Sequence, residues 1–308
     1  MESKKINIVW LKRDIRSQDH APLLKAERAG ISYRIVYLFE PSLIEYPDTS
    51  ARHLQFIYHS IAALNQTLAP YKRSVDVFYG EALDVLEHLK ASFDIHSIFS
   101  FRESGTQSTW QRDKKVASFC RANQITWEES QRDGILRGIK NRQDWNKQWH
   151  KAMHKPVIQN EFSVSKEETL THPFTLPEKL EAQLKDYPKQ YQPAGEQNGW
   201  RYLKSFANQR GFNYQRHISK PAESRMSCSR LSPYLAWGNI SIKQAFQFVG
   251  THPNGTQNDR AFSAMLTRLH WHCHFIQKFE VECSYETDCI NKGYELLPHA
   301  KNEAFIKA

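Results

Sequence analysis

INIVWLKRDIRSQDHAPLLKAERAGISYRIVYLF, residues 6–39, contains two short apolar runs with a helical segment between them. INIVWL (6–11) and RIVYLF (34–39) are rich in β-branched and aromatic residues and are bounded by polar text, the pattern of buried strands. HAPLLKAERAG (20–30) fits a helix, and Gly30 stands where a C-terminal cap is expected. Parallel neighbours in a sheet need a long crossover, which a helix of this size supplies.

The alternation continues to residue 130. VDVFYG (75–80), IHSIFSF (95–101) and ITWEES (125–130) read as further strands. The segments between them, 49–69, 81–93 and 106–123, read as helices. In the first of these, Leu54, Ile57, Ile61 and Leu64 recur at helical spacing and form one apolar stripe. The fold class expected is therefore α/β plus all-α. A Rossmann-like five-stranded parallel sheet occupies residues 1–130, and a helical domain follows. No G-x-G-x-x-G or Walker lysine loop follows the first strand, so the usual dinucleotide and P-loop fingerprints are missing.

Between 131 and 195 the pattern dissolves. QRDGILRGIKNRQDWNKQWHKAMHKP (131–156) is basic and rich in Trp, and prolines are scattered through the charged text after it. This is the composition of a connector crossing the first domain's surface. From 196 to 308 helical periodicity returns. Ser232-Pro233 offers an N-cap with proline at the first helical position, and Gly238 closes that helix. Ser241 with Gln244 forms a capping-box pair for a helix that Gly250 ends. DRAFSAMLTRLHWHCHFIQKFE (259–280) reads as one long helix.

With 42 basic and 33 acidic residues the chain carries +9, a balance that favours polyanionic partners. Five cysteines without regular spacing fit reduced thiols and a cytoplasmic setting, with no disulfide framework. No run approaches a membrane span and no secretory leader is read at the N-terminus. His270 and His274 lie one turn apart with Cys273 between them, but no paired C-x-x-C accompanies them. They are expected as wall or surface histidines, with no metal assigned.

In SCSRLSPYLAWGNIS (227–241) short hydroxyl side chains crowd around Arg230 beside two helix starts. A diphosphate needs such donors and one fixed cation. On the residues alone, a phosphate cradle and a plain helical corner fit about equally well.

Four stretches together resemble the photolyase/cryptochrome family. They are VWLKRDIRSQDHAPL with Trp10, Arg13, Asp14, Arg16, Asp19 and His20, then TWQRDKKVASFCRAN, CSRLSPYLAWGNIS and RLHWHCHFIQKFE. The resemblance implies flavin adenine dinucleotide held by Tyr214, Cys228, Ser229, Arg230, Leu231 and Ser232. It implies light-driven repair of pyrimidine dimers in damaged DNA, with Arg268, Trp271 and His272 lining the lesion pocket, and names no catalytic side chain. It also implies an antenna chromophore of folate or deazaflavin type in the α/β domain. Three positions depart from the family pattern: Cys228 replaces a hydroxyl, Arg268 a Glu or Gln, and His272 an Arg. The chain stops at NEAFIKA, where the family pattern continues, so residues 196–308 are expected to form a partial helical domain. That domain should bind flavin weakly and expose apolar surface on the 261–280 helix. A monomer is expected. A blue-light photoreceptor of the cryptochrome kind and a non-catalytic remnant are the alternative readings.

Overall fold

A computed structural model describes residues 4–298 and 300–307. Five parallel strands, β1 (Lys5–Leu11), β2 (Tyr33–Phe39), β3 (Val75–Tyr79), β4 (Asp94–Phe101) and β5 (Thr126–Ser130), lie in the order β3-β2-β1-β4-β5. Each lies within a residue of its expected span. Such agreement is expected of strands covered on both faces, which read as continuous apolar runs.

Side-chain alternation then assigns the two faces. Val9 and Leu11 of β1 point to the layer of α1 (Ala21–Arg28) and α3 (Ala51–Leu68), where Leu54, Ile57, Ile61 and Leu64 are all buried. Ile6, Ile8 and Trp10 point to the layer of α4 (Ala82–Ser92) and α5 (Gln107–Ala122). A short α2 (Pro41–Ile44) follows β2. Gly30, at φ +65°, lies just beyond α1 in the left-handed conformation that its cap position requires.

The connector runs over this domain, tied to it by backbone. Ser165 N–H donates to Tyr71 O at 2.8 Å, and Tyr79 N–H donates to Phe174 O at 2.9 Å. It holds two helices that the sequence reading left as irregular text, α6 (Trp145–Met153) and α7 (Glu178–Lys185). In α6, Trp145, Trp149 and Met153 recur every fourth residue and are buried. They join a separate helical core made with α8 (Glu196–Ser205), α9 (Tyr214–His217), α11 (Ser232–Ala236), α12 (Ile242–Thr251) and α13 (Asp259–Val281). The shorter α10 (Pro221–Ser227) and α14 (Glu303–Lys307) complete the described α-helices of this part.

Two helix boundaries are corrected. Ser232 is the first residue of α11, makes no side-chain capping bond and puts Pro233 second. Gly250 lies inside the last turn of α12, which ends at Thr251. The Ser241–Gln244 capping box is present as expected. No helix among the described residues is long and apolar enough to cross a membrane.

Candidate functional site

The loop after β1 welds the sheet to the helical part. Asp14 is buried and accepts from Lys12 N–H at 2.7 Å and from the His20 ring at 2.8 Å. Burial pushes the Asp14 carboxyl up, but the His20 hydrogen bond and the nearby charges outweigh it and hold the group below its ordinary range. Burial, with the nearby Arg16 charge, outweighs the Asp14 contacts and depresses His20. Across the weld, Arg16 donates to Gly238 O at 3.2 Å and Ile15 N–H to Trp237 O at 3.1 Å, while Asn239 donates to Ile15 O at 2.8 Å. Gly238 is at φ +71°, and a Cβ there would meet Arg13 O at 2.2 Å. Asp19 accepts from the Ser241 hydroxyl at 2.6 Å and pairs with Lys243 at 2.7 Å. The Ser241 helix start, expected beside a diphosphate, is thus turned toward Asp19 instead.

A cleft of about 690 Å³ opens where β1 gives way to β2 on one side and β4 on the other. In doubly wound sheets the carboxyl ends of strands at such a reversal form the natural ligand crevice. Its polar wall is a buried network centred on Arg112, which bonds Glu40 at 2.7 Å and Glu103 at 2.6 Å; Arg13 adds a bond to Glu103 at 3.2 Å. Burial raises Glu103, yet Arg112, Arg13 and Lys12 together hold it well below the usual carboxylate range. Glu40 has less compensation, and burial pushes it up to about 7. Its Oε2 is buried and unpartnered among the described residues. Trp10, Phe39 and Trp237 supply aromatic walls. Sequence reasoning assigned no residue to this cleft, because its walls come from segments scattered over the chain.

The predicted cradle residues converge on one loop. Arg210 donates to Tyr202 O at 2.9 Å, to Ser229 O at 3.2 Å and also to Cys228 O. Gln192 donates to Arg230 O at 2.6 Å, and Arg230 itself is at φ +62°. The loop's carbonyls are therefore occupied, while the hydroxyls of Ser229 and Ser232 and the Arg230 guanidinium make no hydrogen bond or ion pair among the described residues. An anion-binding loop needs this polarity, with acceptors turned away and donors left free. Leu231 is buried beneath it. Cys228 is half-buried, and burial raises its thiol. The loop's chemistry suits a diphosphate.

Tyr214 is buried against Phe206, with ring centroids 5.5 Å apart. Burial raises its hydroxyl, and the nearby charge of Arg268 opposes that shift. Arg268 also lies over Trp271, 4.4 Å from the ring centroid. Tyr214, Arg268 and Trp271 thus form one chain of contacts. His272 does not join them, because it projects from another flank of α13 into the strand-end cleft, near Asp133 and Arg132. Trp271 and Phe275 are 45% and 60% exposed, the apolar surface expected on this helix. His270 and His274 face α6, and Cys273 is buried. Among the described residues no group of three or more His, Cys, Asp or Glu side chains is arranged to hold a metal.

Residues 7–140 match the family model described as DNA photolyase. The cryptochrome DASH (chloroplastic/mitochondrial) of Solanum lycopersicum is 27% identical over 111 residues, 33% of this chain and 19% of that protein. Among solved structures, a bacterial class III photolyase from Agrobacterium tumefaciens superposes with a TM-score of 0.79 at 17% identity. The alignment covers 100% of this chain and 65% of that one. An archaeal photolyase from Sulfolobus tokodaii, described with two FAD molecules, gives 0.74 at 20% identity over 98% of this chain and 66% of that one. The cryptochrome of Synechocystis sp. PCC6803 gives 0.76 at 18% identity, covering 100% and 68%. The chain spans about a fifth of the curated relative and about two-thirds of these solved chains.

Proposed function

We infer, on the premise that this chain belongs to the photolyase/cryptochrome family, that it is a flavin-binding polypeptide acting on ultraviolet-damaged DNA under light. The observation that carries this reading is the 228–232 loop, whose carbonyls are clamped by Arg210 and Gln192 while its hydroxyls and Arg230 stay free. Flavin adenine dinucleotide, when bound, supplies light absorption and a transferable electron. On this reading Arg230, Ser229 and Ser232 hold the diphosphate, and Tyr214 sits beside them with the Arg268 charge nearby. Trp271, exposed next to Arg268, offers a flat face on which an extruded lesion base can stack. The strand-end cleft suits an antenna chromophore of folate or deazaflavin type, with the unpartnered oxygen of Glu40 as a hydrogen-bonding site for a polar ring atom. The expected weak flavin affinity of this chain belongs to the same proposal.

A blue-light photoreceptor role is the second reading, and Arg268 favours it. Its guanidinium already serves Tyr214 and Trp271, and it cannot accept a hydrogen bond from a lesion base. Two measurements decide. Flavin released from the purified chain by denaturation is quantified by absorbance, and dimer-containing oligonucleotide is assayed for reversal under blue light. Bound flavin with reversal supports repair, and bound flavin without reversal supports the photoreceptor. Complete loss of flavin on Arg230→Ala would tie either role to the loop. A chain that takes up no flavin, even when flavin is supplied in excess, overturns both readings.

A further inference from the structure

The contact between α6 and α13 is lined by His150, His270 and His274, and His154, just beyond α6, continues the row toward α12. His150 and His270 stack at 5.9 Å between ring centroids and 14° between planes. His154 lies 6.3 Å from His150, and His274 lies 6.4 Å from His270. Arg142 reaches the ring of His274 at 3.2 Å, and Asn146 bonds His270 at 2.9 Å. The other groups packed on them are Trp145 and Trp149 of α6, Phe246 of α12, and Phe275 and Lys278 of α13. No carboxylate forms an ion pair with any of the four among the described residues; the one histidine–carboxylate pair there is His20–Asp14. The chain around α6 is strongly cationic, with Lys140, Arg142, Lys147, Lys151 and Lys155 set against Asp144 alone. Lys147, His150, Lys151, His154 and Lys155 are exposed, and Trp271 and Phe275 are exposed on α13.

A surface that crowds cations and imidazoles without a carboxylate repels its own protons. Burial, together with the neighbouring His150 and His274, lowers His270, and burial with Arg142 and Lys278 lowers His274. A polyanion laid along the face reverses that balance, because each phosphate stabilises the protonated rings. Binding and proton uptake are then linked.

We propose that the α6–α13 face is a contact for the phosphate backbone of duplex DNA, and that its grip tightens as its histidines take up protons. The choice of DNA over another polyanion rests on the function proposed above; the charge and histidine geometry does not. The face is separate from the flavin loop, so it would hold the duplex beside Trp271 without reading sequence or damage.

The test is calorimetric titration of the chain with a short undamaged duplex in two buffers of different ionisation heat. Net proton uptake is expected at about pH 6.5, the ordinary histidine range, fading above about pH 8. Affinity should rise roughly threefold to tenfold between those limits, going downward in pH. H270Q/H274Q should remove most of the uptake while the far-ultraviolet circular dichroism spectrum stays unchanged. K147A/K151A should lower the steepness of the salt dependence by about two. Uptake that is absent, or that survives H270Q/H274Q in full, overturns the proposal. So does binding to phosphatidylserine vesicles without binding to the duplex. The outcome is separable from the flavin reading: proton-linked duplex binding by a flavin-free chain sustains this face alone, and light-driven repair unaffected by H270Q/H274Q sustains the repair reading alone.

Discussion

The Nε2–H of His20 donates to Oδ2 of Asp14 at 2.8 Å, while Nδ1 of the same ring accepts from Leu23 N–H at 3.2 Å. The second bond fixes the tautomer, since an Nδ1 that accepts carries no proton. His20 is therefore neutral and caps α1 with one nitrogen while holding a buried carboxylate with the other.

His20→Ala should destabilise the chain by about 3 kcal/mol, because it leaves the Asp14 carboxylate unpaired inside the weld. Both groups have folded-state pKa values below their ordinary ones, so their stabilisation is present at neutral pH and lost as pH falls. For His20 that loss begins near its ordinary value of about 6.5. Urea unfolding followed across this range should show a slope in the parent chain that His20→Ala flattens.

Glu40 behaves in the opposite sense. Its folded-state value is raised to about 7, so the folded chain holds a proton that the unfolded chain has already released. Stability should fall as pH rises from about 4.5 toward 7, by about 2–3 kcal/mol at most from this group. Glu40→Gln should remove that fall, so that the variant's stability advantage over the parent grows with pH in denaturant titrations. An advantage that is flat with pH would mean Glu40 is ionised throughout.

Gly238→Ala tests the weld from the other side. A Cβ 2.2 Å from Arg13 O cannot be accommodated without moving backbone, and φ +71° adds strain. A loss of about 2–4 kcal/mol is expected. Limited proteolysis should then cut between residues 131 and 195 more readily than in the parent.

Arg230 separates binding from stability. At φ +62° it sits where glycine is favoured, so Arg230→Gly should leave stability unchanged or raise it by about 1 kcal/mol. Flavin affinity should nevertheless fall at least roughly tenfold with loss of the charge-assisted contact. Fluorescence titration with flavin adenine dinucleotide and with riboflavin would separate the two, since only the former carries a diphosphate.

The sheet was legible because its strands are buried on both faces and its helices present single apolar stripes. The α6 helix was not, although Trp145, Trp149 and Met153 mark its buried face, because lysines and glutamines between them resemble connector text. Ser229, Arg230 and Ser232 were expected as a cradle by resemblance alone, and the structure places them on one loop with their side chains free of hydrogen bonds among the described residues. Local reading misplaced the role of Ser241, since its partner Asp19 lies 222 positions away. It also grouped His272 with Arg268 and Trp271, because spacing along a helix does not say which neighbouring layer each flank meets. The strand-end cleft was invisible for a related reason: Glu40, Glu103 and Arg112 acquire their meaning only through one another.

The weld also imposes an order on synthesis. Arg16 and Asp19 emerge from the ribosome early, yet their partners Gly238 and Ser241 follow 222 residues later. At translation speeds of about 5–20 residues per second, that leaves roughly 10 to 45 seconds in which a nascent sheet carries unmatched charges at its open end. During that interval the loop after β1 lacks the partners that close the weld.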